Sequence, residues 1–344
     1  MQFDYSIHYF RAFAIINIVI GHFYFPANVQ TYYPWDRLFQ GIFYCDSYYF
    51  FFISGYLFFY LQSMKNNSVL DFYRKKIQNL FLPFLIISLF FLFLADLIFC
   101  LMKYQLNGVH LPKGEYFFTK VIFFLLEGKI SGPFWYIPFV MLIFLVSPLF
   151  LIMFKDAQKK FTILIIISLF LPFFYSRGEL KGYPFFTPMF LAGMAYAKYK
   201  EVIFPVICRK IFMSAMIVLI ICITSFIEYA LLTNLTFEFI HIDSLFYLQK
   251  LFVICFSLPI FDKLANSRIG VLDSIAKLSF SIYFLHDFFL AQTNYVIGFF
   301  HGYPPLLLLT VALFLNLLMG IATYCICFLL KQALGKYSKN IIGS

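Results

Sequence analysis

An arginine and a histidine lie eleven positions apart in the apolar stretch YFRAFAIINIVIGHFYF, as Arg11 and His22. On a helix, eleven residues complete nearly three turns. The two side chains then share one stripe, about 16 Å apart along the axis at about 1.5 Å per residue. A guanidinium is a permanent cation suited to holding an anion. An imidazole is the side chain most readily tuned to act as a general base near neutral pH. The pair therefore describes a site that grips an anionic ligand at one end of a helix and moves a proton at the other. The packing alternative is that Arg11 snorkels to headgroups while His22 bonds a neighbouring helix.

Other residues carry weaker chemical signals. FFISGYLFFY brings together Ser54, Gly55 and Tyr56, and small residues let a second helix or a ligand's narrow arm approach the backbone. DFYRKKIQNLFLPF follows, and its basic triplet Arg74, Lys75 and Lys76 suits anionic lipid or a phosphorylated ligand. The same triplet also serves to hold a loop in the cytoplasm. Trp135 and Tyr136 in GPFWYIPF suit an interfacial aromatic belt or the wall of a ligand site. SFSIYFLHDFF supplies Tyr283, His286 and Asp287. Adjacent side chains on a helix diverge by about 100°, so His286 and Asp287 do not face each other. Asp46, Asp96 and Glu228 are acidic groups in or near apolar stretches, available to Arg11, Lys250 or a ligand.

These groups need a scaffold, and composition names its class. Of 344 residues, 62% are apolar and 12% charged, with 52 Phe, 25 Tyr and 2 Trp. A soluble domain averages roughly 45–50% apolar and about 25% charged. Too little charge remains here to cover a water-exposed surface, and disorder requires low hydrophobicity. A mean hydropathy of +0.86 with runs of membrane length identifies an all-α polytopic membrane bundle.

A helix needs about 20 apolar residues to span the hydrocarbon core. Ten spans are expected: about 7–27, 38–61, 78–101, 134–154, 161–176, 185–199, 211–233, 244–262, 278–298 and 306–331. The fifth and sixth are short and carry Pro or Gly, which favours tilted or broken helices. With both termini inside, 17 of the 26 Lys and Arg fall in inner segments and 7 in outer ones, which fits the positive-inside bias. The first span lacks a basic n-region and a small-x-small cleavage site, so it is expected to remain in place. The outer connection 102–133 holds an amphipathic stretch, Glu115–Lys129. A single transmembrane domain over 1–344 is expected, with no appended soluble domain.

The net charge of +10 resides in short loops rather than in a groove-sized cluster, so nucleic acid is not the expected partner. Seven Cys lie almost wholly in apolar stretches without metal-binding spacing, so neither a metal nor a disulfide is expected. There is no Gly-rich phosphate loop, G-x-S-x-G or H-E-x-x-H. Any phosphate must therefore be held by point charges.

Arg11-x10-His22, FFISGY, the basic patch before Pro83, FWY and SIYFLH occur in this order over residues 11–286. The series resembles the acyltransferase-3 family of polytopic acyltransferases. The resemblance implies transfer of an acyl group, often acetyl, from cytoplasmic acetyl-CoA to a hydroxyl of a surface or lipid-linked saccharide such as O-antigen, capsule or exopolysaccharide. It implies His22 as the catalytic residue and Arg11 as its partner in handling the donor. Arg74, Lys75, Lys76, Ser54, Gly55 and Tyr56 become donor-binding candidates, and Trp135, Tyr136, Tyr283 and His286 acceptor-side candidates. One departure is that Asn79 falls where a second arginine is common in the basic patch. The partners implied are acyl-CoA, the saccharide and membrane lipid, and the location a bacterial inner membrane. Direct transfer and a transient acyl-enzyme both remain open. The alternative from another class is a transporter or flippase of lipid-linked saccharide, although Arg11-x10-His22 has no counterpart in the second half.

Overall fold

The computed structural model describes residues 4–25, 41–44, 47–64, 68–102, 109, 117–156, 158–175, 182–233, 241–300 and 302–344. Among them every regular element is helical and no strand occurs. Five segments are long and apolar enough to cross a membrane: Val69–Ile98, Gly132–Phe154, Lys210–Thr233, Ile242–Ala265 and Pro305–Ile341. The helix Tyr5–Gly21 is apolar but shorter. Two more helices have the length but carry charge, Gly182–Ile207 with 26 residues and Gly270–Gly298 with 29. Lys210–Thr233 turns bare apolar side chains outward, with Ile211 80%, Val218 58% and Ile221 59% exposed. Such a surface fits a lipid environment. The protein is a helical membrane bundle.

Several expected boundaries move for identifiable reasons. The first helix stops at Gly21, with His22 in the turn beyond it. The Arg11–His22 spacing therefore does not lie wholly on one helix. The fifth expected span shrinks to Gln158–Ser168, and Pro172 then favours a short 3-10 turn, Leu171–Phe173. The sixth lengthens to Gly182–Ile207, with non-helical geometry at Tyr199. The basic triplet lies within the helix Val69–Lys76, which continues through a π turn, Ile77–Phe81, into Leu82–Met102. The amphipathic stretch forms the helix Phe117–Glu127. Residues 38–40, Asp46 and Glu115 lie outside the described residues.

The chain divides into two compact units. The first comprises Met1–Gly21, Arg37–Asp71 and Ile143–Ala276. Within it, Tyr48–Phe59 lies against Gly182–Ile207, and Tyr5–Gly21 against Ile242–Ala265. Two glycines make the former contact close. A Cβ at Gly55 would sit 1.8 Å from the Phe190 carbonyl oxygen, and one at Gly193 would sit 2.0 Å from that of Phe52. Small residues let backbones meet where lipid supplies no hydrophobic drive for association.

The second unit comprises His22–Asp36, Phe72–Leu142 and Lys277–Ser344. Phe91 stacks on Phe288 at 4.9 Å and on Phe134 at 6.1 Å. The C-terminal residues fold onto the same unit, where the Ser281 hydroxyl donates to the Ile342 carbonyl at 2.8 Å.

Candidate functional site

The expected site residues fall into two groups, one in each unit. In the first unit, Arg11, His8 and Ile7 project from the opening turns of the first helix. With Asp4, Ile53, Tyr56, Leu57, Tyr60 and Leu61 they line a cavity of about 160 Å³. Asp4, Tyr56 and Tyr60 also line a larger cavity of about 750 Å³, which adds Lys198, Lys200, Glu201, Asp262, Asn266 and Arg268. Such a volume lies within the range of ligand pockets.

Asp4 organises the boundary between the two cavities. Its Oδ2 accepts from Lys200 Nζ at 2.6 Å and from the Tyr56 hydroxyl at 2.5 Å, while its Oδ1 accepts from the Ser6 hydroxyl at 2.5 Å. Burial disfavours the charged carboxylate, but the hydrogen bonds from Lys200, Ser6 and Tyr56 together hold it below the usual carboxylate range. Nearby, His8 Nε2 lies 3.0 Å from Asp273 Oδ1. The result is a charged pocket at the start of the first helix, with Arg11 on the wall of its smaller neighbour.

Of the two roles open to the small pair Ser54 and Gly55, the contact at Gly55 is with a helix. The Phe190 backbone fills the notch at Gly55. Ser54 is buried in the same helix. Tyr56 of that trio lines both cavities.

In the second unit, the element that begins the helix through Trp135 and Tyr136 is a 3-10 turn, Gly132–Trp135. A helix start exposes backbone N–H groups that need acceptors. Asp287 Oδ2 supplies one, accepting from Gly132 N–H at 3.2 Å and from the Ser131 hydroxyl at 2.8 Å. The Tyr283 hydroxyl donates to the Pro133 carbonyl. The Tyr136 and Tyr283 rings meet edge to face, with centroids 5.8 Å apart. The FWY and SIYFLH motifs are thus one structure, tied by Asp287 and Tyr283.

His22 joins this structure. Its ring stands edge to face with His286, centroids 5.0 Å apart. The chain just after His22 is clamped by a buried asparagine. Tyr24 N–H donates to Asn316 Oδ1 at 3.0 Å, and Asn316 Nδ2 donates to the Tyr24 carbonyl at 2.8 Å. The Tyr24 hydroxyl donates to Asp287 Oδ1 at 3.3 Å. A segment outside regular helix is thereby fixed at both backbone groups, which positions the imidazole beside it.

Of the sequence candidates, the second unit therefore joins His22, Tyr136, Tyr283 and His286, with Trp135 packed against Tyr136 and Phe139. Arg11 and Tyr56 lie together in the first unit. Arg74 and Lys75 are exposed, and Lys76 stands over the Phe72 ring at 5.3 Å. None of the three lines either cavity. Asp4, Lys200 and Asn316 were missed as site-building residues, and Asp287 was noticed without its partners. Their partners lie far away in the sequence, so no local spacing marks them. Lys250 donates to the Ile42 carbonyl at 2.7 Å, and Asp96 is exposed.

No curated protein and no solved structure matches the chain. The sequence profile of the acyltransferase-3 family, described as an acyltransferase domain, matches residues 4–331, almost the whole length. With two imidazoles held in one unit and a charged cavity beside Arg11 in the other, the chain belongs to the acyltransferase-3 family of membrane acyltransferases.

Proposed function

We infer that the protein transfers an acetyl or other short acyl group from cytoplasmic acyl-CoA to a hydroxyl of a cell-surface or lipid-linked saccharide. The observation that carries this reading is the His22 imidazole held 5.0 Å from His286 in a chain matched by the family over 4–331. A thioester carbonyl is a good electrophile, so the task left to protein is to orient it and to move one proton. His22 suits that task, either by taking the hydroxyl proton or by carrying the acyl group transiently.

Donor binding is assigned to cationic groups, because CoA carries phosphates and the chain has no phosphate loop. On the N-in orientation that the Lys and Arg bias implies, the cavity shared by Asp4, Tyr56, Lys200 and Arg268 opens at the cytoplasmic end of the first helix. Arg11 lines the adjoining cavity, where it suits the donor's charged or polar arm. Arg74, Lys75 and Lys76 are proposed as outer contacts to the phosphates. The bacterial inner membrane is the proposed location, since acyl-CoA is cytoplasmic and surface saccharides are assembled there. Mass spectrometry of surface saccharide from cells with and without the protein tests the reading. An added acyl mass that depends on the protein is expected, and identical saccharide in both would reject it.

A further inference from the structure

His286 is fully buried, and its Nδ1 lies 2.8 Å from the Tyr283 carbonyl and 3.1 Å from the Ile282 carbonyl of its own helix. Carbonyl oxygens only accept, so Nδ1 carries the ring proton and Nε2 presents a lone pair. Nε2 has no hydrogen-bond partner among the described residues. A buried acceptor without a donor is destabilising, so an orphan beside a second imidazole calls for a chemical account. With Nδ1 turned back onto the helix, Nε2 points away from it, and the His22 ring is the neighbour at 5.0 Å. His22 is only partly buried, so the pair runs from an accessible imidazole to an enclosed one.

We propose that His286 is a positioning residue for His22, its Nε2 accepting from the His22 ring when that ring takes the proton of the acceptor hydroxyl. This rests on the acyl-transfer reading above and goes further by assigning where the proton is held. The acceptor O–H bond breaks, its proton passes to the His22 ring, and a His22 ring proton is shared with His286 Nε2. The acceptor oxygen bonds to the thioester carbonyl carbon, and the C–S bond breaks. The proton then returns through His22 to the departing thiolate, giving an ester, free CoA thiol and two neutral rings. The carbonyls of Tyr283 and Ile282 act as the orienting partners that hold His286 in the required tautomer.

The test uses full-length protein in native membranes with radiolabelled acetyl-CoA, reading label in extracted saccharide. His286→Asn keeps a donor near the Nδ1 position for the backbone carbonyls but removes the Nε2 acceptor, and it is expected to lower transfer by about 10²–10⁴-fold. His286→Ala leaves a space for free imidazole, and added imidazole is expected to restore transfer at least tenfold. His286→Gln stands in for either variant that fails to elute as folded protein from size exclusion in detergent. Transfer within threefold of wild type in a folded His286 variant overturns the proposal. So does loss in His286→Ala without imidazole rescue, which is the signature of a structural role. No label with the wild-type protein overturns the acyl-transfer reading itself, and the assignment of the proton falls with it.

Discussion

Replacing Gly55 with alanine probes a close helix contact in the first unit. The added methyl would stand 1.8 Å from the Phe190 carbonyl oxygen and 2.7 Å from its carbon. Favourable contact begins at about 3.5 Å, so the two helices must part by well over an ångström. The obstacle is backbone and cannot rotate aside. Parting the helices also loosens the ring contacts along the seam, including Phe51 on Phe186 at 4.9 Å and Phe52 near Tyr196 at 5.8 Å. Overpacking typically costs about 1–3 kcal/mol, and a rigid obstacle places this case near about 3 kcal/mol. Gly193→Ala is the mirror case, 2.0 Å from the Phe52 carbonyl oxygen. One separation accommodates both methyls, so the double variant should cost less than the sum of the singles, by about 1–2 kcal/mol. Gly298 has nothing within 4 Å, and Gly298→Ala should be neutral or slightly stabilising. Thermal unfolding in detergent reads these effects at about 2–4 °C per kcal/mol. Gly55→Ala should lower Tm by about 6–12 °C. A shift below about 2 °C, or strict additivity in the double variant, would refute the interlocked packing.

Asp4 gives a pH prediction. Its carboxyl is held below the usual range in the folded state, so it stabilises the fold above its unfolded value near about pH 4, and that contribution disappears as pH falls through the lower folded value. Asp4→Asn should lose about 1–2 kcal/mol at pH 7 and converge with wild type in the acid range; parallel melting curves from pH 7 to pH 3 would contradict this. Asn316→Leu leaves the Tyr24 backbone unclamped and should lower kcat for acyl transfer by about tenfold or more while donor binding holds; unchanged kcat would mean the clamp does not position His22. Neutralising Arg74, Lys75 and Lys76 together should raise KM for acyl-CoA, with the difference from wild type shrinking at high salt. A salt-independent KM equal to wild type would remove the triplet from donor binding.

The class of fold was readable because hydropathy and charge scarcity are properties of long runs, insensitive to local geometry. The cut at Gly21 was not, since the stretch FYF after His22 is as apolar as the helix before it. Gly55 was ambiguous in principle: a small residue permits close approach, and only the partner at Phe190 decides what approaches. His286 and Asp287 were correctly read as facing apart, because helical geometry fixes that angle. What each faces was not legible, since Ser131 and His22 are more than 150 and 260 positions away. Asp4 with Lys200 escaped notice for the same reason, being 196 positions apart.

The role of His22 is tested by comparing wild type with His22→Ala in membranes supplied with radiolabelled acetyl-CoA, reading label in extracted saccharide. The wild type should transfer label, and the variant, folded and present at equal amount, should transfer none above background. Equal transfer by the two would contradict a catalytic role for this imidazole.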